Sequence, residues 1–198
     1  ITSDSGNFML NGPLDIVDAI HVTTSSNGTI DFAGDVVTSV QKLAVTSVTG
    51  AITFDDVNAA VLTVKSSGGS ITFDPGDNIT VSNTVAVMTT GDGTISLSDI
   101  ANGVDTVTVS SEAGTIDFDQ IAGSSTVSIT TTSGAVDLAE SVVATSLTVS
   151  STTGNVDVND SITANKVTLS NLSGGLDVDA DATIDVSGGA GNLDLTNT

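Results

Sequence analysis

The chain has 198 residues, enough for one globular domain or one repeat array. Its 24 acidic residues face only three lysines, and the net charge of −21 excludes nucleic acid as a partner, because phosphate binding needs cationic side chains. The charge also disfavours anionic membrane surfaces, and no apolar run approaches the roughly 20 residues of a membrane-spanning helix, so we expect no membrane insertion. A hydrophobic content of 38% argues against disorder.

One short pattern, Gly-x-Φ-x-Φ with Φ an apolar residue, recurs ten times along the chain. Strict alternation of apolar and polar residues predicts a short strand with one face inward and one outward. The Gly-to-Gly spacings are 22, 22, 19, 24, 21, 20, 20, 20 and 17 residues. In chain order, the units begin at Gly6, Gly28, Gly50, Gly69, Gly93, Gly114, Gly134, Gly154, Gly174 and Gly191.

A second apolar pair precedes each later glycine at an almost constant distance, from Ile20 and Val22 to Ile184 and Val186. The stretch between the two strands varies in length and often carries an apolar residue of its own, which predicts a short third side. Those residues are Val57, Ile100, Ile121, Val142 and Ile162.

These units predict an all-β fold, a parallel β-solenoid (β-helix) of about ten coils of roughly 20 residues, with two to three strands per coil. Residues 1–198 would form a single array, a segment of a larger protein or filament. An antiparallel sandwich would not require the same residue type at the same phase in every unit. Each glycine would occupy a corner that needs either a positive φ or close packing without a Cβ. The predicted corner glycines are Gly28, Gly50, Gly69, Gly93, Gly114, Gly134, Gly154 and Gly174.

Phenylalanine is restricted to one phase of the repeat in four of its five occurrences. Phe32, Phe54, Phe73 and Phe118 all occupy the second apolar position of the first strand. This placement predicts an aromatic ladder inside the solenoid.

The segment from Leu147 to Val158, Leu-Thr-Val-Ser-Ser-Thr-Thr-Gly-Asn-Val-Asp-Val, resembles the strand repeats of large bacterial surface proteins. The resemblance is to filamentous-haemagglutinin-like adhesins and autotransporter passenger β-helices, and it covers nearly the whole chain. It implies export to the cell surface or extracellular space, and attachment or fibre formation. It transfers no catalytic residue.

Carboxylates dominate the outward face of the first strand in the later coils. Stacked about 4.8 Å apart, they would repel one another unless salt, raised pKa values or bound cations relieved the charge. Calcium, which prefers oxygen ligands, is the one cofactor that this pattern suggests; a solvated acidic face is the alternative. Asp194 would continue the column, and the candidate calcium ligands are Asp117, Asp119, Asp137, Asp157, Asp177 and Asp179.

The outward face of the second strand is an array of hydroxyl groups, as in Thr126, Ser128 and Thr130. Regular threonine columns resemble those of ice-binding proteins, but Ala44 and Met88 interrupt this array. The simplest interpretation is that β-branched polar residues suit an exposed strand face. A lateral docking face for another solenoid is the alternative, and it is favoured over ice binding.

The sequence offers few residues suited to catalysis. His21 is the only histidine, and the chain has no cysteine, arginine, tyrosine or tryptophan. We therefore expect no enzyme but an extracellular structural or adhesive solenoid that forms a fibre, stalk or adhesin shaft. Its partners would be further coils of the same chain or other copies, joined end to end or laterally. The alternative function is a calcium- or glycan-binding surface module that uses the acidic face or the insertion at residues 74–84, with surface glycans as partners.

Overall fold

The computed structural model describes residues 1–4, 6–16, 18–38, 41–186 and 191–196. Across these residues the regular structure consists of β-strands, and the strands pair in parallel. The chain winds into a β-solenoid of about eight turns with about 21 residues per turn. The predicted fold class is therefore confirmed.

The first side of the solenoid is a parallel sheet of three-residue strands. Within the described ranges it has nine strands, one fewer than the ten units counted in the sequence. Their eight intervals of about 4.8 Å make a stack about 38 Å long. The strands are β2 (Phe8–Leu10), β5 (Ile30–Phe32), β8 (Ile52–Phe54), β10 (Ile71–Phe73), β12 (Ile95–Leu97), β15 (Ile116–Phe118), β17 (Val136–Leu138), β19 (Val156–Val158) and β21 (Leu176–Val178).

The second and third sides together form one larger sheet, because in five coils a single strand continues from the third side into the second. In the other coils, two shorter strands occupy these sides. The strands are β1 (Thr2–Ser3), β3 (Leu14–Ile16), β4 (Ile20–Thr24), β6 (Val36–Thr38), β7 (Lys42–Ser47), β9 (Val57–Ser66), β11 (Asn78–Thr89), β13 (Asp99–Ile100), β14 (Thr106–Ser111), β16 (Ile121–Thr131), β18 (Val142–Ser151), β20 (Ile162–Ser170), β22 (Ile184–Asp185) and β23 (Asn192–Thr196).

The predicted third side is present. Its apolar residues form one inward column in which Val57 pairs with Ile79, and Ile100 pairs with both Ile79 and Ile121. The column continues through Val142 and Ile162 to Ile184.

The tenth unit, Gly191 to Leu195, is not a first-side strand. Leu193 and Leu195 pair with Val167 and Leu169, which places β23 on the second side. Ile184, predicted for the second side, pairs with Ile162 and so lies on the third. In the last coil, the chain therefore reaches the second side about one strand later in the sequence than in the earlier coils. The alternation of apolar residues did not show whether a strand belongs to the second or the third side.

The core consists of apolar columns that run the length of the rod. Residues such as Ile52, Leu62 and Val64 are completely buried, because each inward side chain packs against its equivalents in the coils above and below. The burial of this apolar surface is the main stabilising term, and no coil could achieve it alone.

Three of the four predicted ladder phenylalanines stack directly. The rings of Phe32 and Phe54 lie 4.9 Å apart with an interplanar angle of 4°, and those of Phe54 and Phe73 lie 4.7 Å apart with an angle of 12°. Phe118 is also buried in this column, but Leu97 separates it from Phe73. Phe8, from the other apolar position of its strand, extends the stack with a tilted contact to Phe32 at 5.5 Å.

The corner glycines form a column that depends on close approach between backbones. A Cβ on Gly134 would lie closer than 3.0 Å to the carbonyl oxygen of Gly114, and Gly154 would make the same clash with Gly134. The corner positions do not require glycine because of a positive φ. The described glycines with positive φ are Gly76, Gly103, Gly123 and Gly175, and none is in the predicted set. All eight predicted glycines, Gly28, Gly50, Gly69, Gly93, Gly114, Gly134, Gly154 and Gly174, share this contact with the preceding coil.

A column of buried hydroxyl groups, which the sequence interpretation missed, lies beside the glycines. The Thr24 hydroxyl donates to the Gly28 carbonyl at 3.1 Å, and the backbone N–H of Gly134 donates to the Thr131 hydroxyl at 3.0 Å. Buried polar groups need such partners, so these hydroxyls hold the corner turn. The signal in the sequence was a Ser or Thr three or four residues before a glycine, at Thr24, Ser47, Ser66, Thr89, Ser111, Thr131 and Ser151.

Candidate functional site

The carboxylates of four consecutive coils lie in one outward column on the first side. Asp117 pairs with Asp137, Asp137 with Asp157, and Asp157 with Asp177. We call these four residues the acidic column. Asp194 does not belong to it, because Asp194 pairs with Thr168 on the second side.

Burial and mutual repulsion both act on this column. The pKa values of Asp117, Asp137 and Asp157 are raised above the ordinary value of 3.8, first because partial burial disfavours the charged form, and next because each faces the aspartate of the following coil. A hydrogen bond of 2.8 Å from the Asn159 side chain partly offsets the shift at Asp137.

The remaining predicted calcium ligands, Asp119 and Asp179, lie just after the first-side strands. Asp119 raises the pKa of Asp117, and Asp179 raises that of Asp137 and Asp157, so both lie near the column. Across the described residues, however, the six predicted ligands do not bring three carboxylate oxygens within 4.8 Å of one another.

The carboxylates that do meet are in another part of the rod. Oxygen atoms of Asp55, Asp74 and Asp77 all lie within 4.8 Å of one another, so these three residues could contact one cation. Burial, followed by repulsion from the neighbouring aspartates, raises the pKa values of Asp55 and Asp77. Three carboxylates supply fewer than the six to eight oxygens of a typical calcium site.

None of these three aspartates is among the predicted calcium ligands, because a turn outside the repeat brings Asp77 to Asp55 and Asp74. The backbone N–H of Asp77 donates to the Asp74 carbonyl at 3.2 Å, and Gly76 adopts a φ of 90°. The predicted insertion at residues 74–84 is mostly strand, since β11 begins at Asn78 and a register shift between Val81 and Thr84 accommodates the extra residues.

The outward residues of the second side form a flat surface that we call the hydroxyl face. It consists of alternate residues in the segments 42–46, 61–65, 84–88, 106–110, 126–130, 146–150 and 166–170. The strands that carry it pair in register from coil to coil. None of the positions in these seven segments is Asp or Glu, and most are Ser or Thr. At the end of the described stack, Asn192, Asp194 and Thr196 of β23 continue the same outward rows.

The fold and these surfaces define a β-solenoid repeat domain with an acidic first side and a hydroxyl-rich second side that carries the three lysines. The model of the family described as Toastrack DUF4097 matches residues 59–197, and the chain belongs to this family. No curated protein and no solved structure matches the chain. The family match supports a β-repeat fold, and does not extend to the narrower resemblance to adhesins and autotransporter passengers.

Over the described residues, we find no helix that is long and apolar enough to cross a membrane.

Proposed function

We propose that the chain is an extracellular, non-enzymatic structural domain whose coils extend a fibre, stalk or adhesin shaft by stacking. The observation that carries this proposal is that the ends of the described stack are open strand edges with apolar side chains. At one end, Met9 is 59% exposed beside half-buried Phe8 and Leu10. At the other, Leu193 and Leu195 on β23 are 41% and 54% exposed.

Open edges of parallel strands pair readily with further strands, and proteins that avoid such pairing place charges or caps there. The edge of β21 carries exposed Val178 next to Asp177, and β23 is exposed along its length. Further coils, from the same polypeptide or from neighbouring copies, would cover these edges and continue the apolar columns.

Sedimentation velocity over a range of concentrations tests end-to-end stacking. Met9→Lys places a charge at an open end, and we expect it to reduce the population of assembled species by about tenfold or more. Val143→Lys also replaces an exposed apolar residue by lysine, but on the third side and away from the ends of the rod, where Val143 is 42% exposed, and it serves as the control. Equal effects of the two substitutions would argue against stacking through the ends.

A second candidate function is the binding of a divalent cation, favoured by the meeting of Asp55, Asp74 and Asp77. If a cation binds there, a chelator lowers the unfolding temperature of the purified chain, and Asp77→Asn removes that dependence. An unfolding temperature that is independent of both calcium and chelator would rule this candidate out. Glycan binding stays a prediction from the sequence.

A further inference from the structure

Charge is segregated between the faces of the solenoid. All three lysines of the chain, Lys42, Lys65 and Lys166, are exposed on the hydroxyl face. His21, the only histidine, lies in the same sheet and pairs with Ala44. In a chain with 24 acidic residues, these seven segments carry every lysine and no carboxylate, and Asp194 on β23 continues their rows at one end of the described stack.

In the part of the chain that the structure describes, none of the three lysines of this face forms an ion pair. The acidic column is similarly short of donors, since no hydrogen bond from a described residue reaches Asp117, Asp157 or Asp177. The two surfaces therefore carry complementary, unpaired groups that point away from their shared core.

We propose that the hydroxyl face is a docking surface for the acidic column of a second copy of this chain, so that solenoids associate side by side. This proposal adds lateral association to the structural role proposed above. For an assembled fibre, it rests on the proposed end-to-end stacking.

The two surfaces have matching repeats. Both lie on parallel sheets of one solenoid, so each advances about 4.8 Å per coil, and one carboxylate on the first copy can meet a row of hydroxyls on the second. The chain already shows this pairing internally: the Thr53 hydroxyl donates to the Asp31 carboxylate of the adjacent coil at 2.6 Å. A hydroxyl from a second copy could relieve the charge of Asp117 or Asp157 in the same way.

The contact is heterologous, because two different faces meet, and it can therefore repeat into a sheet or bundle of rods. Seven coils contribute a surface about 29 Å long and roughly 14 Å wide, which is at the small end of protein interfaces. Single rods would pair weakly, while rods extended by end-to-end stacking would multiply the contact.

Disulfide cross-linking tests which faces meet, since the chain has no cysteine of its own. A Thr148→Cys variant carries a thiol on the hydroxyl face, and an Asp157→Cys variant carries one in the acidic column. Under mild oxidation, a mixture of the two should cross-link at least several-fold more than either variant alone. The control replaces Thr148→Cys by Thr163→Cys, which is exposed on the third side.

Thr148→Cys cross-linking equally well to itself would overturn the proposal, because it would place two identical faces together. Equal yields with Thr163→Cys, or no cross-link in any mixture, would overturn it as well. Circular dichroism of each variant confirms that the solenoid has folded. Fibre length is measured separately. Single rods that lengthen but do not cross-link would contradict lateral docking, and end-to-end stacking would still stand.

A charge-matched pair of variants tests the role of the lysines. The triple substitution Lys42→Gln, Lys65→Gln, Lys166→Gln lowers the net charge of −21 by three. The matched triple substitution Thr80→Glu, Thr145→Glu, Thr163→Glu, at exposed positions outside the hydroxyl face, lowers it by the same amount. At about 0.15 M salt, where long-range repulsion is screened, the lysine variant should weaken lateral association roughly tenfold relative to the threonine variant. Equal association of the two variants would contradict the proposal.

Discussion

The two halves of the first side share one backbone geometry but carry different chemistry. In the earlier coils, Phe32, Phe54 and Phe73 stack inside, and Thr53 separates Asp31 from Thr72 outside. In the later coils, Phe118 is followed by aliphatic residues at the same inward position, and the acidic column occupies the outward one. The comparison shows that the repeat requires particular residues at the corner and in the core, while the outward positions are free to carry mutually repelling charges.

Removing a ring from the aromatic stack should have the largest effect. Phe54 is completely buried between two rings, so Phe54→Ala should lower the free energy of unfolding by about 4 kcal/mol. Chemical denaturation measures the loss. Phe54→Leu should cost more than Phe118→Leu, because only Phe54 loses two ring contacts. Equal costs for the two leucine variants would show that the stack adds nothing beyond apolar burial.

Substitution of a corner glycine in the later coils should destabilise the protein nearly as much. Gly134→Ala forces a methyl group against the backbone of Gly114, and we expect a loss of about 3 kcal/mol in the free energy of unfolding. Gly12→Ala is the control, since a Cβ there meets no atom within 4 Å. Thermal unfolding of both variants distinguishes them, and a tolerated Gly134→Ala would mean that the coils can separate locally at little cost.

Replacing an aspartate of the acidic column by threonine, as found in the earlier coils, should reduce the repulsion within the column. Asp157→Thr removes a charge that is flanked by Asp137 and Asp177, and it should stabilise the fold by about 0.5 kcal/mol after solvent screening is allowed for. The equivalent Asp31→Thr loses the hydrogen bond from Thr53 and should be neutral or destabilising. Denaturation curves of both variants test this contrast, which fails if Asp157→Thr destabilises the protein.

Acid should stabilise this protein by a small amount. The folded-state pKa values of Asp117, Asp137 and Asp157 lie above the ordinary value of 3.8, so the folded state binds more protons between those values. The free energy of unfolding should therefore rise as pH falls through this window and be level, as far as these groups are concerned, at higher pH. Denaturation at a series of pH values measures the slope. Replacing all three residues by threonine should reduce the slope, with Asp55 and Asp77 supplying the remainder, and an unchanged slope would assign the effect to other groups.

The sequence predicted the repeating interior well, because identical phases in successive coils leave only one register. The corner glycines and Phe32, Phe54 and Phe73 followed from the same repetition. Irregular regions could not be predicted in this way. Among the described residues, the meeting of Asp77 with Asp55 and Asp74 occurs once, so no repetition in the sequence indicated it. In the last coil, the shortest Gly-to-Gly spacing, 17 residues, was a signal that Gly191 does not begin another first-side strand.

Coil stacking is the central claim of this account, and negative-stain electron microscopy of the purified chain at high concentration, with and without a calcium chelator, tests it most directly. The account predicts rods of many lengths, extending well beyond the roughly 38 Å of one stack. It also predicts that the rods shorten in Met9→Lys but not in Val143→Lys. Uniform particles of single-stack length at every concentration, with or without chelator, would contradict it.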